Sequence, residues 1–319
     1  MIFDGHADLL YDVTRRRLAG EKRTLERHHL ERLRKGNVEG MTLALWTRSE
    51  EEPFWAAHPL GKTDAGRTEL MMACAKEEFG ESPWLAVVRT AAEAETARAA
   101  GSMYAFISVE GMAALGEDIC WLDRYAEFGA RMGMLTWNEE NALATGAGGD
   151  PSKGLTELGK QTLRRMEERN MIVDVSHLND GGFRDVLRLA HGPVIASHSN
   201  CRALCDVRRN LADDQLRAIR DTGGIVGVNV YHNFVHAERS KQTVEMLARH
   251  AVHMMDVMGV EHVACGFDFC EYFGPGNEGA RGMEDCSQSG NFFACLSQMG
   301  VSEREMEMIA RENLLRILK

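Results

Sequence analysis

The sequence predicts a parallel α/β fold in which eight strands close into a (β/α)8 barrel of the TIM type. Eight short apolar runs alternate along the chain with longer segments whose apolar residues recur at helical spacing. Most of these runs are apolar throughout, as in strands that are buried on both faces of a parallel sheet. No glycine-rich dinucleotide-binding motif follows any of them, which disfavours an open doubly wound sheet.

The predicted elements extend from the first residues to the last. The predicted strands are residues 2–8, 38–46, 103–109, 131–137, 171–176, 193–197, 224–230 and 262–268. The predicted helices are residues 30–34, 67–79, 158–169, 180–189, 213–221, 243–258 and 302–318. Ser302 and Glu305 have the spacing of a capping box at the start of the last helix. Neither a repeat nor a break in composition divides the chain, so we expect one domain over residues 1–319.

Three long loops follow predicted strands and comprise residues 141–154, 231–241 and 270–290. The C-terminal ends of the strands carry the active site in TIM barrels. Loops of this length in a compact domain are usually functional or disordered. We therefore expect the functional site at this face of the barrel.

Composition excludes several classes of protein. The 319 residues include 48 acidic and 37 basic side chains and carry a net charge of −11, which argues against nucleic acid or an anionic membrane as the main partner. A hydrophobic content of 44% excludes general disorder. No apolar run approaches the roughly 20 residues of a membrane-spanning helix. The first residues lack the pattern of a signal peptide, so we expect a cytoplasmic protein whose eight cysteines are reduced.

The first predicted strand ends in His6-Ala-Asp8. Residues i and i+2 of a strand point to the same face, so the imidazole and the carboxylate are expected to project together as ligands of a divalent metal. This short pattern also arises by chance. Glu110 ends the third predicted strand, where a buried carboxylate is costly unless it is coordinated or, alternatively, paired with an arginine.

Two predicted strands end in Ser-His, which places His177 and His198 at equivalent positions of neighbouring strands. A single such histidine is more often a core residue, but two that converge at the mouth of a barrel favour a metal site. Asp268 ends the eighth strand, next to the first in a closed barrel. It is expected to accept a proton near the metal, or alternatively to cap a helix. Asp4 and Asp174 are interpreted as supporting groups or ordinary buried partners.

Six ionisable side chains therefore fall at predicted strand ends: His6, Asp8, Glu110, His177, His198 and Asp268. Together they suit a pair of divalent ions with a shared hydroxide as the nucleophile. Because no lysine ends a central strand, Glu110 is the better candidate for a bridging ligand.

The chain resembles the renal (membrane) dipeptidase family, a branch of the metal-dependent amidohydrolases. The matching motifs are D-G-H-A-D (4–8), V-E-G (109–111), L-T-x-N (135–138), G-L-T-x-x-G (154–159), V-D-V-S-H (173–177), S-H-S (197–199), C-D-x-R-R-N (205–210) and D-F (268–269). Each motif is short, but their order and spacing cover nearly the whole chain.

The resemblance implies a homodimeric dipeptidase with two Zn²⁺ ions per chain. It implies that His6 and Asp8 bind one zinc, that His177 and His198 bind the other, and that Glu110 bridges them. It assigns proton transfer to Asp268 and the binding of the substrate's terminal carboxylate to Arg209. Because the secretion and lipid-anchor signals of the animal members are missing, the chain resembles the cytoplasmic bacterial members.

Two positions depart from the family pattern. Trp137 replaces the histidine of L-T-H-N that contacts the substrate carbonyl, and Cys270 stands in place of the second aspartate of D-F-D-G. We expect Trp137 to face and retune the substrate pocket, although it could simply pack in the barrel mouth. Hydrolysis of a lactone or an N-acyl amino acid, and peptide binding without catalysis, stay open as alternatives.

Overall fold

Nine strands run through the described part of the chain, residues 1–47 and 52–319, in a computed structural model of the protein. They are β1 (Ile2–Ala7), β2 (Val38–Trp46), β3 (Leu85–Val87), β4 (Met103–Glu110), β5 (Ala130–Met134), β6 (Ile172–Asp174), β7 (Val194–Ile195), β8 (Val226–Val228) and β9 (Val263–Cys265). The α-helices are α1 (Leu9–Leu18), α2 (Thr24–His28), α3 (Leu30–Lys35), α4 (Pro53–Ala56), α5 (Asp64–Gly80), α6 (Ala91–Ala99), α7 (Trp121–Phe128), α8 (Glu157–Glu168), α9 (Asp180–Leu189), α10 (Asp213–Asp221), α11 (His232–Val235), α12 (Val244–Met258), α13 (Gly290–Gln298), α14 (Glu303–Glu307) and α15 (Asn313–Ile317).

Eight of these strands form a closed ring of parallel neighbours. Strands β1, β2, β4, β5, β6 and β7 are hydrogen-bonded in that order, and β8 pairs with β9. A bridge between Ala196 and Val226 connects the β7 edge to β8. The ring closes where the backbone N–H of Asp268 donates to the carbonyl of His6 at 3.3 Å. The prediction of a (β/α)8 barrel is confirmed.

Strand β3 lies outside this ring and was not among the predicted strands. It pairs with residues 103–105 of β4, below the level at which β5 pairs with residues 107–110 of the same strand. Only three residues long and exposed at Val87, it lacks a pattern that could identify it.

Several helices agree with the predicted ranges. Helices α9 and α10 occupy the predicted ranges, and the side chain of Asn179 accepts from the N–H of Gly182 at the start of α9. Ser302 and Glu305 form the predicted capping box. The predicted last helix is nevertheless divided into α14, a wide π-helical turn (Met308–Glu312) and α15. Helices α1, α2, α4, α6, α7, α11 and α13 were not predicted. None of the described helices is long and apolar enough to cross a membrane.

Strands β6, β7 and β9 are shorter than predicted, because the N–H groups that follow them bond to side chains. The carboxylate of Asp174 accepts from the N–H groups of Ser176 and Ser197 at 3.0 and 3.1 Å. Asp4 accepts in the same way from Phe267, at 2.8 Å. These bonds replace strand pairing and let the chain turn at the barrel mouth.

Close backbone approach beneath the site depends on two glycines. A Cβ atom on Gly227 or Gly266 would lie 2.0 or 1.7 Å from the carbonyl oxygen of Ser197. Only glycine permits this contact, which holds the segment before His198 against β8 and the turn after β9.

Candidate metal centre

Four side chains from four strand ends converge at the C-terminal face of the barrel. His6 Nε2 lies 2.7 Å from Glu110 Oε2, and His177 Nε2 lies 3.1 Å from Glu110 Oε1. The Nε2 atoms of His177 and His198 are 2.9 Å apart, and the rings of His6 and His198 stack at 3.8 Å. Glu110 therefore presents one oxygen to each side of the cluster, as a bridging ligand would.

Two further carboxylates complete the cluster. Asp8 Oδ1 lies 3.6 Å from His6 Nε2, and Asp268 Oδ1 lies 4.0 Å from the same nitrogen. His6 thus belongs to two groups with metal-ligand geometry, one with Glu110 and His198 and one with Asp8 and Asp268. The structure brings together all six side chains that were expected at strand ends.

Left-handed backbone positions two of these residues. His177 and Asp268 each follow a strand by three residues, and their φ angles are +67° and +58°. Such angles cost energy in residues other than glycine and cluster at functional sites. Asp268 does not cap a helix, since no described helix begins directly after it, and its Oδ2 atom accepts from Asn229 Nδ2 at 3.0 Å.

The donor atoms fit divalent cations. His6 Nε2, Asp8 Oδ1 and Glu110 Oε2 are buried and approach one another, but among the described residues none of them makes a hydrogen bond of good geometry. Buried charged groups of this kind are normally hydrogen-bonded or coordinated. Imidazole nitrogen and carboxylate oxygen are the ligands of zinc and related ions. These converging nitrogen and oxygen atoms therefore mark where such ions would be held.

The pKa values of the cluster also favour a bound cation. Burial and the nearby charge of Asp8 raise the pKa of Glu110 to about 8, and burial raises that of Asp268 to about 6. Burial, with Arg209 and His6 nearby, holds the pKa values of His177 and His198 well below the ordinary value. Both histidines are then neutral ligands, and a bound cation would favour the charged form of the carboxylates.

The Nδ1 atoms of His177 and His198, which are the ring nitrogens away from the cluster, each contact a polar side chain. His177 Nδ1 lies 2.9 Å from Asn138 Oδ1, which can only accept, so this nitrogen carries the proton. His198 Nδ1 lies 2.8 Å from Ser197 Oγ. Contacts of this type set the tautomer and orientation of metal-binding histidines.

Arg209 is buried beside His198, at the edge of the cluster. Its guanidinium donates to Ser199 Oγ at 3.4 Å and to the carbonyl of His198 at 3.2 Å, and it lies 5.3 Å from the ring of Phe234. No acidic side chain in the described residues forms an ion pair with it. Burial lowers its pKa to about 10, so it stays charged at neutral pH. Arg208, in contrast, is exposed and donates to the carbonyl of Gly149.

A cavity of about 230 Å³ opens over the cluster. It is lined by Asp8, Trp46, Glu110, Trp137, Asn138, His177, Tyr231, Phe234, Asp268, Cys270, Phe273 and Asn277. Trp137 packs 5.3 Å from Trp46, and both rings also line a neighbouring cavity of about 640 Å³. The predicted loops 231–241 and 270–290 form much of the wall, as expected for functional loops.

Sequence reasoning assigned no role to several residues at this site. Asn138 is part of the L-T-x-N motif, but its contact with His177 was not predicted. Asn229 directly follows the apolar strand β8, and a buried amide at a strand end was a signal of the same kind as Glu110. Asp4 and Asp174 are the supporting groups described above.

The chain was compared with known proteins. The profile of the membrane dipeptidase family, peptidase family M19, matches residues 1–319. A protein of Schizosaccharomyces pombe described as an uncharacterized dipeptidase is 32% identical over 69% of this chain, and the match spans 53% of that protein's own length.

Solved structures also match. A metallo peptidase from Rhodobacter sphaeroides, liganded with a phosphinate mimic of the dipeptide L-Ala-D-Ala, is 28% identical with a TM-score of 0.85, over 99% of this chain and 98% of that chain. A structure described as dipeptidase AC, of the same family, is 27% identical with a TM-score of 0.85, over 99% and 97% of the two chains.

Proposed function

Since this chain belongs to the membrane dipeptidase family (peptidase family M19), we propose that it hydrolyses dipeptides with two zinc ions bound per chain. The convergence of two carboxylates and three histidines on one buried cluster beneath the cavity carries the proposal. His6 and Asp8 would hold one ion and His177 and His198 the other, with Glu110 between them. Bound zinc would lower the pKa of the attacking water and offset charge that develops on the scissile carbonyl oxygen.

Substrate orientation follows from the position of Arg209. Its buried guanidinium has no ion-pair partner among the described residues and lies beside His198. It is 5.3 Å from the ring of Phe234, which lines the cavity. A guanidinium binds a carboxylate through two parallel hydrogen bonds, so Arg209 would hold the C-terminal carboxylate of a dipeptide. The cavity of about 230 Å³ suits a small substrate, and the related Rhodobacter sphaeroides enzyme was solved with a dipeptide mimic.

Proton transfer is the proposed role of Asp268. Its Oδ1 atom faces the cluster, while its Oδ2 atom is held by Asn229. Asp268 would accept a proton from the attacking water and then donate it to the nitrogen of the leaving amine. Burial raises its pKa to about 6, which suits a group that must both gain and lose a proton near neutral pH.

A hydrolysis panel tests the proposal. Purified protein of measured metal content would be assayed on L,L- and L,D-dipeptides, N-acyl amino acids and lactones. The proposal expects turnover of dipeptides above that of the other classes, and loss of turnover after metal removal with recovery upon zinc addition. Preference for lactones or N-acyl amino acids would indicate another amidohydrolase, and binding without turnover would indicate a peptide-binding barrel. A homodimer is expected from the family resemblance, and sedimentation analysis tests it.

A further inference from the structure

Asn229 is a buried amide that follows β8 and contacts the carboxylate of Asp268. Its Nδ2 atom lies 3.0 Å from Asp268 Oδ2 and 3.5 Å from the carbonyl oxygen of His198. Its Oδ1 atom accepts from the N–H of Tyr231 at 2.7 Å. Because that peptide N–H can only donate, it determines which end of the amide faces Asp268.

A second amide holds Asn229 in place. The N–H of Asn229 donates to Asn200 Oδ1 at 3.0 Å, and Asn200 Nδ2 donates to the carbonyl of Asn229 at 2.8 Å. Both asparagines are fully buried. Hydrogen bonds thus hold both the backbone and the side chain of Asn229, and they fix the position of the N–H group that it donates to Asp268.

The consequence for Asp268 is a defined carboxylate orientation. Its backbone is left-handed, with φ of +58°, and a short polar side chain in such a turn has no helix or strand to orient it. The bond from Asn229 occupies Oδ2 and leaves Oδ1 as the oxygen 4.0 Å from His6 Nε2. The thiol of Cys270, at 3.6 Å from Oδ1, is a weaker donor.

The carbonyl group of His198 lies between Asn229 and Arg209, the residue proposed to bind the substrate carboxylate. The carbonyl oxygen of His198 lies within reach of Asn229 Nδ2 and accepts from Arg209 Nη2 at 3.2 Å. One peptide group thus links the base, the arginine and a metal-binding histidine.

We propose that Asn229 is a positioning residue that orients Asp268 for proton transfer. This inference rests on the proposed function. It assigns to Asn229 no contact with the substrate. Losing the amide should misorient Asp268 and lower kcat about 10- to 100-fold, while KM and metal content change little.

Two variants test the role. Asn229→Asp keeps the size of the side chain and an acceptor for the N–H of Tyr231, but it replaces the donor to Asp268 with an oxygen. Asn229→Ala removes the side chain. Asn313→Ala is the matched control, because Asn313 is also a buried amide but bonds to the carbonyls of Val260 and Val263, on the side of β9 away from the site. The control should lower the thermal unfolding temperature and leave kcat unchanged.

A double-mutant comparison separates positioning from general stability. If Asn229 acts through Asp268, Asn229→Ala should cause no further loss of kcat in an Asp268→Ala background, whereas a purely structural effect would multiply with it. Multiplication of the two losses, or full kcat in both Asn229 variants, would overturn the proposal.

A crystal structure of Asn229→Asp provides a readout that does not depend on the reaction. The Asp268 carboxylate should rotate away from its wild-type orientation, and an unmoved carboxylate would overturn the proposal even if dipeptides prove not to be the substrate. Failure of the proposed function would instead appear as a wild-type protein that does not cleave dipeptides.

Discussion

The Nε2 atoms of His177 and His198 face each other at 2.9 Å. The two residues follow the neighbouring strands β6 and β7. The Nδ1 atom of His177 already donates to Asn138, so its Nε2 atom offers a lone pair. Burial keeps both rings neutral. A cation between the two nitrogens would satisfy both, and this is the arrangement expected of a pair of metal ligands.

We therefore predict that His177→Ala and His198→Ala each lose about one of two bound divalent ions. Elemental analysis of purified, folded protein provides the measurement. His191→Ala is the control, because His191 is exposed on the surface beside Glu167. Full metal retention in both site variants would contradict the ligand assignment.

Arg209→Met should impair hydrolysis of dipeptides far more than hydrolysis of their C-terminal amides. Loss of a charge-assisted hydrogen bond costs about 1.5–3 kcal/mol, or roughly 10- to 150-fold in kcat/KM. Arg208→Met is the matched control, since this adjacent side chain is exposed and contacts Gly149. Equal losses on acid and amide substrates would reject a carboxylate-binding role for Arg209.

Trp137→His should change the substrate preference without removing the metals. The indole lines the cavity and packs against Trp46, so a smaller ring should favour bulky dipeptides relative to small ones. The ratio of kcat/KM values for a bulky and a small dipeptide measures the effect. If that ratio is unchanged in a folded, fully metallated variant, Trp137 does not face the substrate.

His250 should make the fold sensitive to acid. Burial lowers its pKa to about 4, and its neutral ring accepts from the N–H of Cys201 and donates to the carbonyl of Val235. Above pH 6.5 this histidine is neutral in both states, and its stabilising effect is fully present. As the pH falls from 6.5 towards 4, the unfolded chain binds a proton that the folded chain does not, so stability is lost at up to about 1.4 kcal/mol per pH unit.

Urea unfolding of the wild type and His250→Gln between pH 4 and 7.5 measures this effect. The wild type should lose about 3 kcal/mol more than the variant over that range, because acid titration of all other groups is common to both. If the free energy of unfolding falls equally with pH in the two proteins, His250 is not the source of the acid sensitivity.

The sequence by itself determined the eight barrel strands and the residues that gather at their ends. Continuous apolar runs identify buried parallel strands, and parallel strands bring their C-terminal residues to one face. His6, Asp8, Glu110, His177, His198 and Asp268 could therefore be grouped before any distance was known. Strand β3 was not predicted, because its three residues, one of them exposed, are too few to show a hydrophobic periodicity.

Only the tertiary structure decided how those residues face one another. The N–H of Phe267, just before Asp268, bonds to Asp4, and the N–H of Ser197, just before His198, bonds to Asp174. Neither contact leaves a local pattern in the sequence, because the bonded residues lie far apart in the chain. The C-D-x-R-R-N motif contains two adjacent arginines, and only the structure shows that Arg209 is buried beside His198 whereas Arg208 is exposed. Such choices depend on contacts between residues far apart in the chain, whereas periodicity records only whether each element has a buried face.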